Sequence, residues 1–114
     1  MDTTTALRPV RAGSIFRCSW GYDQTNVDFY EVLSVSASRQ TVKVRRIQSH
    51  HVDDPHGPQT HVVPWREPHP RHPEVLTKRI RSAGDRWAFR VASYAHAFSW
   101  DGSPASETGV GWGH

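Results

Sequence analysis

The sequence predicts a mostly-β protein, a small and strongly bent antiparallel sheet or partly open barrel of five to six strands, with no helix that its periodicity defends. Three observations carry that expectation. Residues 27–35 are dense in β-branched and aromatic side chains. Val42 and Val44 then alternate with Lys43 and Arg45. In residues 86–100, Trp87, Phe89 and Val91 alternate with Ala88, Arg90 and Ala92, where a helical face requires spacings of three and four.

Taken in order, residues 1–12 hold three consecutive Thr and no apolar periodicity, which predicts a flexible tail ahead of one domain spanning 13–114. Residues 14–20 form a first strand that runs into turn formers at 21–26. Within 27–35 the spacing puts Val27, Phe29, Leu33 and Val35 on one face. A short connection at 36–40 makes a hairpin with 41–45. Ile47 falls outside that alternation and predicts a bulge or strand end near Arg45 and Arg46. Six of the eight His and six of the eight Pro lie in residues 48–74, so a surface excursion with one short strand around 60–63 is expected. Residues 75–82 read as a strand, 83–85 as a turn, and 86–100 as a long strand bent near Ser93.

At 114 residues the chain fits a single core, and five Trp, four Phe and three Tyr compensate for an apolar fraction of only 36%. The start lacks the basic and apolar runs of a leader, and no stretch reaches the roughly 18 apolar residues of a membrane span. The single Cys18 forms no internal disulfide, so the cytoplasm is the expected compartment. Cys18 itself reads as a buried small residue.

Residues 28–33 (Asp-Phe-Tyr-Glu-Val-Leu) and 42–45 (Val-Lys-Val-Arg), following a Gly-initiated strand and a polar loop, resemble the opening of small barrels of the Src-homology-3, Tudor and chromo type. Such barrels host many functions. A longer likeness lies in Ser19-Trp20-Gly21-Tyr22-Asp23-Gln24-Thr25-Asn26-Val27-Asp28-Phe29-Tyr30-Glu31-Val32, with a second block at Ser93-Tyr94-Ala95-His96-Ala97 and Trp100-Asp101-Gly102-Ser103-Pro104. Both blocks are similar to those of a functionally uncharacterised family of short proteins from bacteriophages, plasmids and bacterial genomes. The resemblance implies a mobile-element setting and transfers no catalytic or binding residue.

Four features offer chemistry. The net charge of +3 is unevenly spread: residues 39–47 hold four basic and no acidic side chains, and 75–90 hold five basic against Asp85. Lys43, Arg45, Arg46, Lys78, Arg79 and Arg81 are therefore candidates for phosphate contacts, with solubility as the alternative use of the same charges. Trp20, Tyr22 and Tyr30 flank the polar loop and are candidates for stacking on bases or gripping a modified Lys or Arg, against the commoner use of aromatics in a small core. Asp23, Asn26 and Asp28 offer oxygens to a cation or a ligand, and the same side chains build turns. His50, His51, Asp53, Asp54 and His56 are metal-ligand types within seven residues, in a segment with little visible rigidity.

No nucleophile elbow, phosphate loop or paired-Cys zinc motif occurs, and a set drawn from His96, Asp101, Ser103 and His114 is available in almost any His-rich chain. Catalysis is therefore not expected, and no cofactor is identified. The sequence points first to a phage- or mobile-element-encoded binding protein whose partner is nucleic acid or a nucleoprotein. A protein-binding inhibitor of a host or defence complex, and a metal-dependent enzyme built on the His cluster, stand as alternatives.

Overall fold

The computed structural model describes residues 8–21, 25–53, 57 and 59–108. They form nine strands and no helix: β1 (Ile15–Trp20), β2 (Asn26–Val35), β3 (Thr41–His51), β4 (Gln59–Pro68), β5 (Val75–Arg79), β6 (Arg81–Ala83), β7 (Arg86–Ala92), β8 (Ala95–Ser99) and β9 (Ala105–Thr108). One antiparallel sheet runs β6-β7-β8-β1-β2-β3-β4-β9, with β5 beside β3. The mostly-β expectation holds, and the expected count of five to six strands falls short.

The extra strands have local causes. Residues 75–82 divide at buried Ile80 into β5 and β6. Residues 86–100 are not one bent strand but a hairpin turning at Ser93 and Tyr94, a turn that lacks the Gly, Pro or Asn that would announce it. The His- and Pro-rich excursion is also more ordered than its composition suggests, because β3 runs on to His51 and β4 spans ten residues. Pro64 and Pro68 are tolerated there because β9 pairs only with residues 59–62 of β4, leaving the rest an edge that needs no donor.

The registers set Phe16 opposite Tyr30 and Tyr30 opposite Arg46. Phe16, Cys18, Tyr30, Val32, Val42 and Val44 therefore share one face of β1, β2 and β3, where they pack with Phe89, Ala95, Ala97 and Ile80. Phe89 lies 4.9 Å from the Phe16 ring and 5.6 Å from that of Tyr30, the latter pair edge-on. Removing a buried ring of this kind costs about 3–5 kcal/mol.

The opposite face of the same strands carries Ile15, Val27, Phe29 and Ile47, packed with Val62, Ala105 and Trp100 into a second cluster. A sheet buried on both sides loses clean alternation. Ile47 is thus in register opposite Phe29, facing the second cluster, and no bulge lies at Arg45 or Arg46. The irregularities fall instead between Val32 and Ser34, between Ile47 and Gln48, and between Arg90 and Ala92. The first of these moves Val35 opposite Val42 and onto the first cluster, away from the face of Val27 and Phe29 on which it was expected.

The two clusters lie on opposite faces of the one sheet. β5 and β6, separated only by Ile80, pair with β3 and β7 respectively, so the segment bridges the two sides of a small, partly open barrel around the first cluster. The Ile80 N–H donates to Gln40 O at 2.8 Å. Gly84 makes the β6–β7 turn at φ +67, where a side chain would be strained. Residues 8–12, expected within the tail, are docked here: Val10 is buried, and Arg8 O accepts the Trp87 indole N–H at 2.8 Å. On the other side β9 pairs with β4, and the Glu107 carboxylate accepts the Val27 N–H at 2.9 Å, holding the arm over the second cluster.

Candidate nucleic-acid interface

Strand register decides which basic residues can act together. β3 and β5 are neighbours, with Thr41 opposite Arg79, Lys43 opposite Thr77 and Arg45 opposite Val75. Lys43, Arg45 and Arg79 therefore share the outer wall of the barrel. Lys43 and Arg79 are exposed, and Arg79 donates to Gln40 Oε1 at 3.3 Å. Arg45 is half-buried, and its Nε is buried without a hydrogen-bond partner. Arg81, opposite Ala88, lies on the same outer wall one strand further round. Arg46 and Lys78 differ: they lie on the inner-face side, opposite Tyr30 and Val42 respectively. Arg46 donates to Asp28 Oδ1 at 2.6 Å, so its charge is already matched.

The outer wall holds a second group of cations that sequence inspection did not single out. Ala88, Phe98 and Arg17 form one cross-strand row over β7, β8 and β1, and Arg90 faces His96 in the next. Arg86 lies on the same side, its guanidinium 5.9 Å from the centre of the Phe98 ring. Arg81 Nη2 is 3.3 Å from His96 Nε2. A guanidinium only donates, so that imidazole nitrogen accepts and the proton sits on Nδ1. Among the described residues Arg17 and Arg90 have no ion-pair partner, and Arg86 has only Asp85 at 3.9 Å. The signal was present in the sequence: if Trp87 and Phe89 face inward, Arg86, Ala88 and Arg90 must face outward.

Of the aromatic and polar loop candidates, Tyr22 and Asp23 lie outside the described residues. Tyr30 is buried against Phe89 and is a core residue, because β2 turns that side inward. Its hydroxyl is pushed up to about 12, by burial first and then by Asp28. Trp20 remains over a third exposed, edge-on to Tyr94 at 6.5 Å. Asp28 accepts the Trp20 indole N–H at 2.7 Å as well as the Arg46 pair. Asn26 begins β2. Asp28 and Arg46 help to line an open cleft of about 240 Å³ with Gln48, His69 and Pro70. Burial, and then the Arg46 guanidinium, hold the His69 imidazole below its ordinary pKa.

The metal candidates divide. Asp54 and His56 lie outside the described residues. His50 stacks on Trp65 with ring centres 4.2 Å apart, whereas its neighbour His51 points to the opposite face, as adjacent strand residues must. Asp53 accepts from buried Thr60 Oγ1, from the His61 N–H at 2.8 Å and on its other oxygen from His61 Nδ1 at 2.7 Å. Thr60 has given its only proton to Asp53, so His51 Nδ1 must donate to the hydroxyl. Among the described residues no three His, Cys, Asp or Glu side chains gather as a metal site.

Of the residues considered for acid/base or nucleophilic chemistry, His114 lies outside the described residues. Asp101 holds its own turn, accepting from Ser103 Oγ at 2.6 Å and Ser103 N at 2.9 Å, which lowers its carboxyl. The Cys18 thiol is pushed up to about 11 by burial and then by Asp28, the reverse of an activated nucleophile. No helix among the described residues is long and apolar enough to cross a membrane. Comparison of the chain with protein-family models, with curated proteins and with solved structures returns no match.

Proposed function

We propose that this chain is a small β-barrel binding protein of a phage or other mobile element, and that its partner is nucleic acid, held by phosphate contacts along the outer wall. The observation that supports this most is the convergence of Lys43, Arg79 and Arg81 with Arg17, Arg86 and Arg90 on one side of the curled sheet. Among the described residues acidic groups are sparse on that wall. Glu31 is matched by Arg66, and Asp85 and Asp101 sit at turns. A wall of one sign attracts a polyanion and raises the encounter rate.

The test is a binding titration of labelled single- and double-stranded DNA and RNA over a salt series. Each phosphate contact releases condensed counterions, so log affinity should fall linearly with log salt. Replacing Lys43 and Arg79 together by Ala should flatten that slope by roughly two units for a duplex. Absence of any retardation at low salt and micromolar protein would reject this function.

A second function, as an inhibitor that binds a host protein, is favoured by two exposed aromatics. Tyr94 is 75% exposed, and Trp65 is 48% exposed under the stacked His50 ring. Rings of this kind anchor protein interfaces. Binding of that sort would be far less sensitive to salt, and Trp65→Ala would weaken it where Lys43→Ala would not.

A further inference from the structure

We infer that the outer face of β7, β8 and β1 is a stacking platform for a single nucleic-acid strand, with Phe98 as the ring that receives a base and Arg17, Arg86 and Arg90 as the phosphate contacts around it. This rests on the nucleic-acid function proposed above and names its site and its preferred strand. Phe98 is half-buried at the centre of the face, between Ala88 on β7 and Arg17 on β1. A phenyl ring in such a setting on a solvent-facing wall is not required by either core cluster, and it belongs to neither. Its neighbour Ala88 is buried, only 2% exposed, so the Phe98 ring itself, and not the alanine beside it, is the apolar surface on which a base would lie.

The cations surround this ring in a regular way. Arg86 and Arg90 flank Ala88 at two-residue spacing, about 6.6 Å either way along β7. Arg17 stands on the opposite side of Phe98. Arg81, opposite Ala88, closes the β6 side and holds His96 by its Nε2, which places a second planar ring two residues from Phe98. The Arg86 guanidinium, already 5.9 Å from the ring centre, is positioned to close over the far side of a base laid on Phe98.

Charge selects the occupant. Among the described residues four arginines stand on the patch, and the acidic groups near it are Asp85, 3.9 Å from Arg86, and Asp101, which feels both Arg17 and Arg86 from the turn after β8. A polyanion with exposed flat rings satisfies both the cations and the aromatic floor. A duplex offers the phosphates but keeps its base faces stacked on each other, whereas an unpaired strand offers both.

The experiment compares wild type, Phe98→Leu, Phe98→Trp and the pair Arg17→Ala with Arg90→Ala. Each is titrated against a labelled oligothymidylate and against a duplex of equal length over a salt series, and circular dichroism checks that every variant keeps a β-rich spectrum. Wild type should bind the single strand more tightly than the duplex. Phe98→Leu, which keeps apolar bulk, should weaken single-strand binding about ten- to a hundredfold and leave duplex binding and the salt slope unchanged. Phe98→Trp should retain single-strand affinity. The arginine pair should flatten the slope by about one and a half units on single strands. Unchanged single-strand affinity in Phe98→Leu, or an unchanged slope in the arginine pair while Lys43→Ala with Arg79→Ala flattens it, would overturn the platform and leave nucleic-acid binding elsewhere on the wall. Loss of all binding in the wild type at low salt would overturn both.

Discussion

Arg46 Nη2 donates to Asp28 Oδ1 across 2.6 Å, joining the middle of β3 to the start of β2 beside the buried Tyr30 ring. Asp28 is also the acceptor for the Trp20 indole, so one carboxylate ties β1, β2 and β3 together. The side chains are only 24% and 11% exposed, which places the pair among those whose removal leaves a poorly solvated charge. Arg46→Ala should therefore lower the free energy of unfolding by about 2–4 kcal/mol, measured by urea titration. Exposed Lys43→Ala should stay within about 0.5 kcal/mol. The double change Arg46→Met with Asp28→Asn should be less destabilising than Arg46→Ala. Equal losses in Arg46→Ala and Lys43→Ala would mean that the pair contributes nothing.

Cys18 lies in the same neighbourhood, fully buried between Phe16 and Trp20 on β1. With its thiol pushed up to about 11, almost no thiolate exists near pH 8, and reagents have no path to the sulfur. The native protein should fail to react with an aromatic disulfide reagent at pH 8 and should react in full once urea unfolds it. Rapid stoichiometric labelling of the native protein would contradict both the burial and the raised value.

The raised Cys18 and Tyr30 groups also set an alkaline limit. Both are neutral acids whose folded pKa values, about 11 and about 12, exceed the ordinary values of 9.0 and 10.0. As pH rises, the unfolded chain loses these protons first, so the unfolded state is favoured. The contribution is fully present below about pH 9 and is lost as pH climbs through 10 towards 12. Denaturant midpoints from pH 8 to 11 should fall, and Cys18→Ala with Tyr30→Phe should make that decline shallower. An identical decline in the variant would assign it to other groups.

The parts of this fold that were legible in the sequence are those where one face meets the core and the other meets water. Val42 and Val44 against Lys43 and Arg45 form such a segment, and they sit in β3 as expected. Where both faces are buried, alternation vanishes, and Ile47 therefore looked misplaced although it packs on Phe29's side. Tyr30 looked like a loop aromatic because its strand starts only four residues earlier, and the inward side of β2 emerges only from the pairing with Phe16 and Arg46. The platform residues were hidden differently. Arg17, Phe98 and Arg90 come from three separate strands, and only the β1–β8 and β7–β8 registers bring them into adjacent rows. Long-range register of this kind depends on the complete sheet and leaves no local trace.

The tip of the β3–β4 arm depends on a single carboxylate. Asp53 accepts from Thr60 Oγ1, from the His61 N–H and from His61 Nδ1, and these bonds hold its carboxyl well below the usual range. Thr60 is fully buried, so its hydroxyl proton needs that acceptor. The adjacent Val52 N–H donates to His61 O at 2.9 Å, making the clasp part of the strand ladder. A carboxyl with a depressed folded pKa stabilises above its ordinary value and loses that contribution as pH falls below it. Asp53→Asn should therefore raise amide exchange at Val52 and His61 near neutral pH, measured by hydrogen exchange with mass spectrometry. The wild type should show the same loosening only in acid, below the ordinary carboxylate range, and the variant should lose that acid-dependent step. Exchange in β7 and β8 should not change, because the clasp lies at the far end of the sheet. Equal protection of Val52 and His61 in both proteins at neutral pH would show that the ladder holds the tip without Asp53.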